Sequence, residues 1–188
     1  AAGAWWISRP RPLPEARIES IAALETDAAR GARVFYASGC ASCHAADGAE
    51  GDAMLVLQGG HRLESAYGTF VAPNISPDPE HGIGGWTLTN FADAMLRGVS
   101  PEGAQYYPAF PYTAYTRMTD QDLADLWAFL QTLRECDRAD DPNELGFPYT
   151  LRRGIGLWKW MYLSDDWVAA APSETLERGR YLVEALGH

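Results

Sequence analysis

At 188 residues, with 47% hydrophobic and 12% aromatic side chains, the chain can bury one good core, or one domain plus part of another, and is too apolar to be disordered. A formal charge of −10 argues against nucleic acid, which requires a basic face. It suits a solubilising surface or salt-sensitive docking onto a basic patch of a partner protein. Lys159 is the only lysine; the other cations are arginines.

The opening Ala1-Ala2-Gly3-Ala4-Trp5-Trp6-Ile7 is too short to span a bilayer and reads as the trailing end of an apolar segment with an interfacial tryptophan pair. The expectation is an N-terminal anchor preceding residue 1; the alternative is a mature terminus left by a signal peptidase. Alternating prolines in residues 8–14 remove donors and fix φ, giving a stiff spacer. Residues 1–20 are accordingly expected to be an extended tether. A helix is expected from Thr26 to Ser38, with cap chemistry from Thr26 and Asp27 and an apolar face beginning at Val34 and Phe35. Gly31 lowers helix propensity inside it, which predicts a close packing contact there.

That helix delivers the chain to Cys40-Ala41-Ser42-Cys43-His44. Two cysteines three apart, followed at once by histidine, form the attachment signature of a c-type haem. Each thiol forms a thioether with one former vinyl group, and the histidine then lies under the ring to bind iron. A zinc site would need further ligands at matching spacing, and a thioredoxin-like pair would need a βαβ context. Neither is visible. Cys136 is left without an intramolecular disulfide partner and is expected to be a buried or half-buried thiol. Haem is attached to such motifs outside the bacterial cytoplasm, so a periplasmic location is expected.

From Ala45 to Thr87 the signals are loop signals (Asp-Gly, Gly-Gly, Pro-Asn, Pro-Asp-Pro), as expected of a chain wrapping a macrocycle. Thr89 or Asn90 is expected to cap a helix to Arg97, ended by Gly98, with Phe91, Ala94 and Met95 on one face. The loop from Val99 to Arg117 holds the aromatic stretch Tyr106-Tyr107-Pro108-Ala109-Phe110-Pro111-Tyr112, fit to wall an apolar pocket. A further helix, Thr119 to Leu133, starts with a capping-box-like Thr119 and Asp122 and carries the stripe Leu123, Leu126, Trp127, Leu130. The charged exit 134–142 marks a boundary. Beyond it, an aromatic-rich stretch contains a helix from about Leu151 to Leu163. Finally, Glu177–His188 parallels Ala29–Gly39: Arg-Gly, an apolar run, then Ala-x-Gly. This reads as an internal repeat ending just before a second haem motif; the alternative is a coincidental amphipathic helix.

The stretches GARVFYASGCASCH, YGTFVAPNISPDPEHGIGGW, FADAMLRGVSPEG, YYPAFPY, DLADLWAFL and FPYTLRRGIGLWKW cover most of residues 27–163. They resemble the diheme c-type cytochromes that serve as electron-transfer subunits of periplasmic dehydrogenases, and RGRYLVEALGH resembles the lead-in to that family's second haem. The resemblance implies an all-α, class I cytochrome c fold with long haem-wrapping loops and a C-terminal helical extension. The implied organisation is a tether (1–20), a one-haem domain (21–136), an aromatic connector packing on it (137–172) and the first helix of a second domain (173–188). It implies haem c held by Cys40 and Cys43, with His44 as proximal iron ligand and a second haem beyond the C-terminus. Relatives place the distal methionine in a YPAMPY stretch, where this chain has Phe110. Relatives with YPAFPY commonly carry methionine at the position of Met95, nine residues after a propionate-contacting tryptophan, here Trp86. Met95 is therefore the preferred sixth ligand, Met118 the runner-up, and Met54 and Met161 follow. His61 and His81 offer a bis-histidine alternative, although both read as surface residues. Trp86, Arg97, Arg62 and Tyr107 are candidate propionate partners by residue type.

The function implied is electron transfer through a His/Met haem, from a dehydrogenase to another cytochrome or an oxidase, with no catalytic residues. Two alternatives stay open: a haem enzyme (a peroxidase or sulfur-compound dehydrogenase) with a displaceable sixth ligand, and a docking subunit of a membrane complex.

Overall fold

The computed structural model describes residues 2–187; Ala1 and His188, at the outer ends of the apolar opening and of the repeat, lie outside them. The helices are α1 (Ala2–Ile7), α2 (Glu15–Ala22), α3 (Ala28–Ala37), α4 (Cys40–His44), α5 (Leu88–Arg97), α6 (Tyr112–Tyr115), α7 (Asp120–Leu130), α8 (Arg152–Tyr162) and α9 (Glu174–Tyr181). A 3-10 turn spans Gly51–Leu55, and a π-helical turn, Leu182–Leu186, continues α9.

The centre is the crossing of α3 on α7. Gly31 stands at the contact: a Cβ there would lie 2.0 Å from the Asp125 carbonyl oxygen. This is the close approach that an otherwise unfavourable glycine predicts. One turn on, Phe35 is fully buried, its ring 5.3 Å from that of Phe129. α5 packs beside the pair through Phe91, 4.9 Å from the Trp127 ring. Ile21 of α2 and Leu186 of the C-terminal turn are buried in the same core, so both ends of the chain pack onto it.

A buried carboxylate locks the crossing. Asp125 is fully buried; it accepts from the Asp27 amide at 2.7 Å, from Arg30 at 2.7 and 3.0 Å, and from Gln121 at 3.1 Å. Burial alone would raise its pKa, but these hydrogen bonds outweigh burial and hold the carboxyl below the usual range. Asp125→Ala should therefore lower stability at neutral pH by about 2–3 kcal/mol, since it strands buried donors. A group with a depressed folded pKa contributes fully above its unfolded pKa and loses that contribution as pH falls through the folded value. Urea unfolding of both proteins, repeated from neutral to acid pH, should show the gap close toward acid; a pH-independent gap would contradict this role.

Four features depart from the sequence reading. Residues 1–20 are not uniformly extended: α1 and the start of α2 flank a short non-helical segment at 8–14, which opens on a turn at Ser8 and Arg9. That segment is pinned where the Leu13 amide donates to Asp93 at 2.7 Å. The chain is not purely helical, because β1 (Arg62–Ser65), β2 (Gly68–Val71) and β3 (Glu144–Leu145) form a three-stranded antiparallel sheet in that order. Ser65 holds the hairpin turn, accepting from the Tyr67 amide and donating to the Gly68 carbonyl. The cap of α5 is Thr87, with Asn90 completing a reciprocal capping box. The helix expected over 119–133 is regular only to Leu130; its cap, Thr119, accepts from the Asp122 amide.

Candidate haem site

Ser38 ends α3, and Gly39, at φ 62°, turns the chain sharply into α4. One helical turn then places Cys40, Cys43 and His44 at i, i+3 and i+4, a single face. That face borders a cavity of about 680 Å3, within the size range of cofactor sites, whose wall is mainly apolar. The cavity lies between α4, α5, the Pro73–Trp86 loop and the aromatic loop.

His44 Nδ1 lies 2.8 Å from the Pro73 carbonyl. A carbonyl only accepts, so Nδ1 carries the proton and Nε2 keeps its lone pair. Burial lowers the His44 pKa, partly opposed by this bond, and so favours the neutral ring a metal requires. Burial pushes the Cys40 thiol up to about 12. A redox-active Cys-x-x-Cys needs the opposite shift. No three or more His, Cys, Asp or Glu side chains among the described residues are arranged to hold a metal ion by themselves, which also counts against zinc. The donor set thus fits a porphyrin: two thiols for its vinyl carbons, one neutral imidazole for its iron, and an apolar chamber.

Met95 and Trp86 line this cavity, and so do Phe110 and Tyr107. Met95 is buried on α5 and is the sole methionine on the wall. Met118 is buried elsewhere in the core, and Met54 and Met161 are exposed. Phe110 meets Tyr106, Tyr112 and Tyr115 edge to face, at centroid distances of 5.7, 6.2 and 6.1 Å, so it is a wall residue of an aromatic cluster. His81, expected at the surface, reaches the cavity wall; His61 does not, and pairs with Asp47 at 2.7 Å.

Two propionate candidates fall away. Arg62 sits on β1, paired with Glu144 at 2.6 Å, and Arg97 Nε donates to the Arg11 carbonyl at 3.2 Å, away from this wall. Arg152 is the arginine on this wall. It lines the cavity, with its guanidinium 5.2 Å from the Tyr107 ring centre. Its signal was a local misfit, since Arg152 and Arg153 open α8 at the helix end that disfavours cations.

Sequence reasoning also missed the strap 136–143. Asn74 binds it through three hydrogen bonds: its amide donates to Asp140 at 2.6 Å, and its side chain donates to the Cys136 and Arg138 carbonyls at 2.7 and 2.9 Å; the side-chain oxygen is held locally by the Ser76 amide at 2.9 Å. The strap closes one side of the cavity with Asp140, Asp141 and Pro142, and fixes the segment that presents the Pro73 carbonyl to His44. Cys136, half-buried, belongs to this clamp through its backbone.

Fold and cavity together define a protein that carries haem bound through Cys-x-x-Cys-His. Comparison with known proteins makes this definite: the Cytochrome c family model matches residues 28–134. The chain is 53% identical over 186 residues, 97% of its length, to a diheme cytochrome c-type protein of Cereibacter sphaeroides. It is 37% identical over 172 residues to the fructose dehydrogenase cytochrome subunit of Gluconobacter japonicus, and 33% identical over 163 residues to the cytochrome c subunit of a quinone alcohol dehydrogenase of Gluconobacter oxydans. Each of these two matches covers 85% of the chain. The chain belongs to the cytochrome c family, and its cofactor is covalent haem c. It spans 61% of the length of the first relative and 33% of each of the other two.

Proposed function

We propose that this chain is the first haem-bearing part of a diheme periplasmic cytochrome that takes electrons from a dehydrogenase and passes them to another cytochrome or an oxidase, with His44 and Met95 as iron ligands. The observation that carries the ligand assignment is that Met95 is the one methionine on the cavity wall. When bound, the haem would supply one-electron chemistry; His44, oriented by Pro73, and the thioether of Met95 would hold its iron. Glu80, Asp140 and Asp141 line the cavity, and Arg152 is the only lysine or arginine there. That acidic rim suits a partner with a basic docking face.

The C-terminal repeat supports a second haem domain. Gly31 and Phe35 of α3 are buried against α7, whereas their counterparts Gly179 and Val183 face open space: nothing lies within 4 Å of a Cβ at Gly179, and Val183 is 72% exposed. The opposite side, at Ala185 and Leu186, is buried on the first domain. Such a helix suits a junction, with its free face awaiting a crossing helix of its own domain. We place the protein outside the cytoplasm, held near the membrane by a segment before residue 1; no helix among the described residues is long and apolar enough to cross a bilayer.

The test is the ferric and ferrous absorption spectrum of the native protein, with and without carbon monoxide. The expected result is a low-spin haem with the methionine-to-iron charge-transfer band in the far red and no carbon monoxide adduct without denaturant. A high-spin spectrum with ready carbon monoxide binding would replace the carrier by the enzyme reading with an open sixth position. A low-spin spectrum lacking the band would point to His81.

A further inference from the structure

A second cleft, which the haem does not use, lies between the N-terminal segment and the C-terminal half of α8. Its volume is about 130 Å3, and its wall includes Arg9, Arg11, Arg97, Lys159 and Trp160 but no carboxylate. A water's share of liquid volume is about 30 Å3, so the space holds a tetrahedral oxyanion comfortably. The chain has 25 acidic residues against 15 basic ones, yet four cations here share one small volume. None of the four joins an ion pair among the described residues. Asp93 feels the charge of Arg97, but its carboxylate is engaged by the Leu13 amide.

Lys159, Arg9 and Arg97 are held in place. Lys159 Nζ donates to the Arg97 and Gly98 carbonyls at 2.9 and 2.6 Å and to Gln105 Oε1 at 2.7 Å, and it lies 4.3 Å from the Tyr112 ring centre. All its partners are uncharged. Burial, and then the charge of Arg97, pull this ammonium down to about 7, the strain of positive charge with no counter-ion. The Arg9 guanidinium lies 3.4 Å over the Trp6 ring, and Arg153 lies 4.6 Å from the Trp5 ring centre and donates to the Trp5 carbonyl at 3.0 Å. The segment carrying Arg9 and Arg11 is seated tightly on α8. A Cβ at Gly156 would lie 1.9 Å from the Ser8 carbonyl oxygen, which also accepts from Gln105.

Around this basic cleft lies an uncovered aromatic and aliphatic belt. Trp5, Trp6 and Trp160 are 66%, 57% and 55% exposed, and Leu157 and Met161 extend the Trp160 stripe along α8 at helical spacing. Tryptophan beside arginine, at the edge between an apolar belt and an anion-sized basic pocket, matches the chemistry of a bilayer surface better than that of a protein face. A redox partner drawn to the acidic cavity rim would meet the opposite charge here.

We propose that this face seats an acidic phospholipid at a membrane surface, with its phosphate in the cleft of Arg9, Arg11 and Arg97 and the tryptophans at headgroup level. This contact uses the chain's own residues and does not depend on an anchor before residue 1.

The test mixes the haem-loaded protein with vesicles of phosphatidylcholine alone or of phosphatidylcholine with phosphatidylglycerol, and reads haem absorbance in the pellet. The protein should sediment with the phosphatidylglycerol vesicles only. Binding should weaken about five-fold in each of Arg9→Gln and Arg11→Gln, and fall with added salt. Both arginines are exposed, and an unchanged haem spectrum confirms folding and keeps this result separate from the electron-transfer reading. Equal binding to both vesicle types, or binding indifferent to the two substitutions, overturns the proposal. So does inorganic phosphate occupying the cleft as tightly as the lipid surface, which would make it a free-anion site. Failure to bind either vesicle overturns it as well.

Discussion

Replacing Met95 by alanine is expected to abolish the methionine-to-iron charge-transfer band, convert the ferric haem to high spin and open it to carbon monoxide. The reduction potential should fall, because a thioether ligand favours ferrous iron, within the roughly 0.8 V span that axial ligands command. Met95→Ala removes the one sulfur that borders the cavity outside α4. Met118→Ala is the discriminating control. Met118 is 2% exposed and lies off the cavity wall, so its truncation should destabilise the fold by about 2–4 kcal/mol while leaving band and potential in place. His81→Ala should also leave the band intact. Survival of the band in Met95→Ala, or its loss in Met118→Ala, would sink the assignment.

The ease of reading the sequence varied with the range of the interaction. The haem motif is local: three residues on one helical turn, whose spacing is their geometry. Helical periodicity puts Met95 on one face with Phe91 and Ala94, while its preference as ligand comes from the family resemblance; Gly31 is legible because an unfavourable residue inside a helix needs a packing reason. What escaped depends on partners far along the chain. Asn74 clamps carbonyls 62 and 64 residues away, and no local pattern marks its partners. The hairpin Arg62–Val71 is short, lies among glycines and prolines, and gains its third strand only from residues 144–145. α1 and α2 are hidden by the proline run between them, which does exclude helix but only over residues 8–14. Arg97 and Arg62 suit a propionate by residue type alone. Both are committed to other backbones and charges, and Arg152 occupies the cavity wall instead.

Gly31→Ala should cost about 3 kcal/mol or more, at or above the upper end of ordinary overpacking. The reason is that its new methyl would meet backbone, not a side chain that can swing away. The Cβ would stand 2.0 Å from the Asp125 carbonyl oxygen, 2.5 Å from its carbonyl carbon and 2.8 Å from Phe129 Cβ. Alanine's better helix propensity offsets at most about 1 kcal/mol of this. To make room, α3 and α7 must part, which also loosens the Asp125 bonds to Arg30 and the Asp27 amide. The variant should therefore be less sensitive to acid as well as less stable. For a chain of this size the loss corresponds to a Tm about 6–12 °C lower. The repeat supplies its own control in Gly179, the counterpart of Gly31. It lies within α9, and nothing stands within 4 Å of a Cβ there. Gly179→Ala should raise stability by up to about 1 kcal/mol in this chain. In a protein continuing into a second domain the same substitution should become destabilising, because the crossing helix of that domain would then lie against it. Thermal and urea unfolding of both variants, in the 188-residue chain and in the extended protein, gives four signs. A Gly179→Ala effect that stays favourable in the extended protein would mean that the repeat does not build a second α3–α7 crossing.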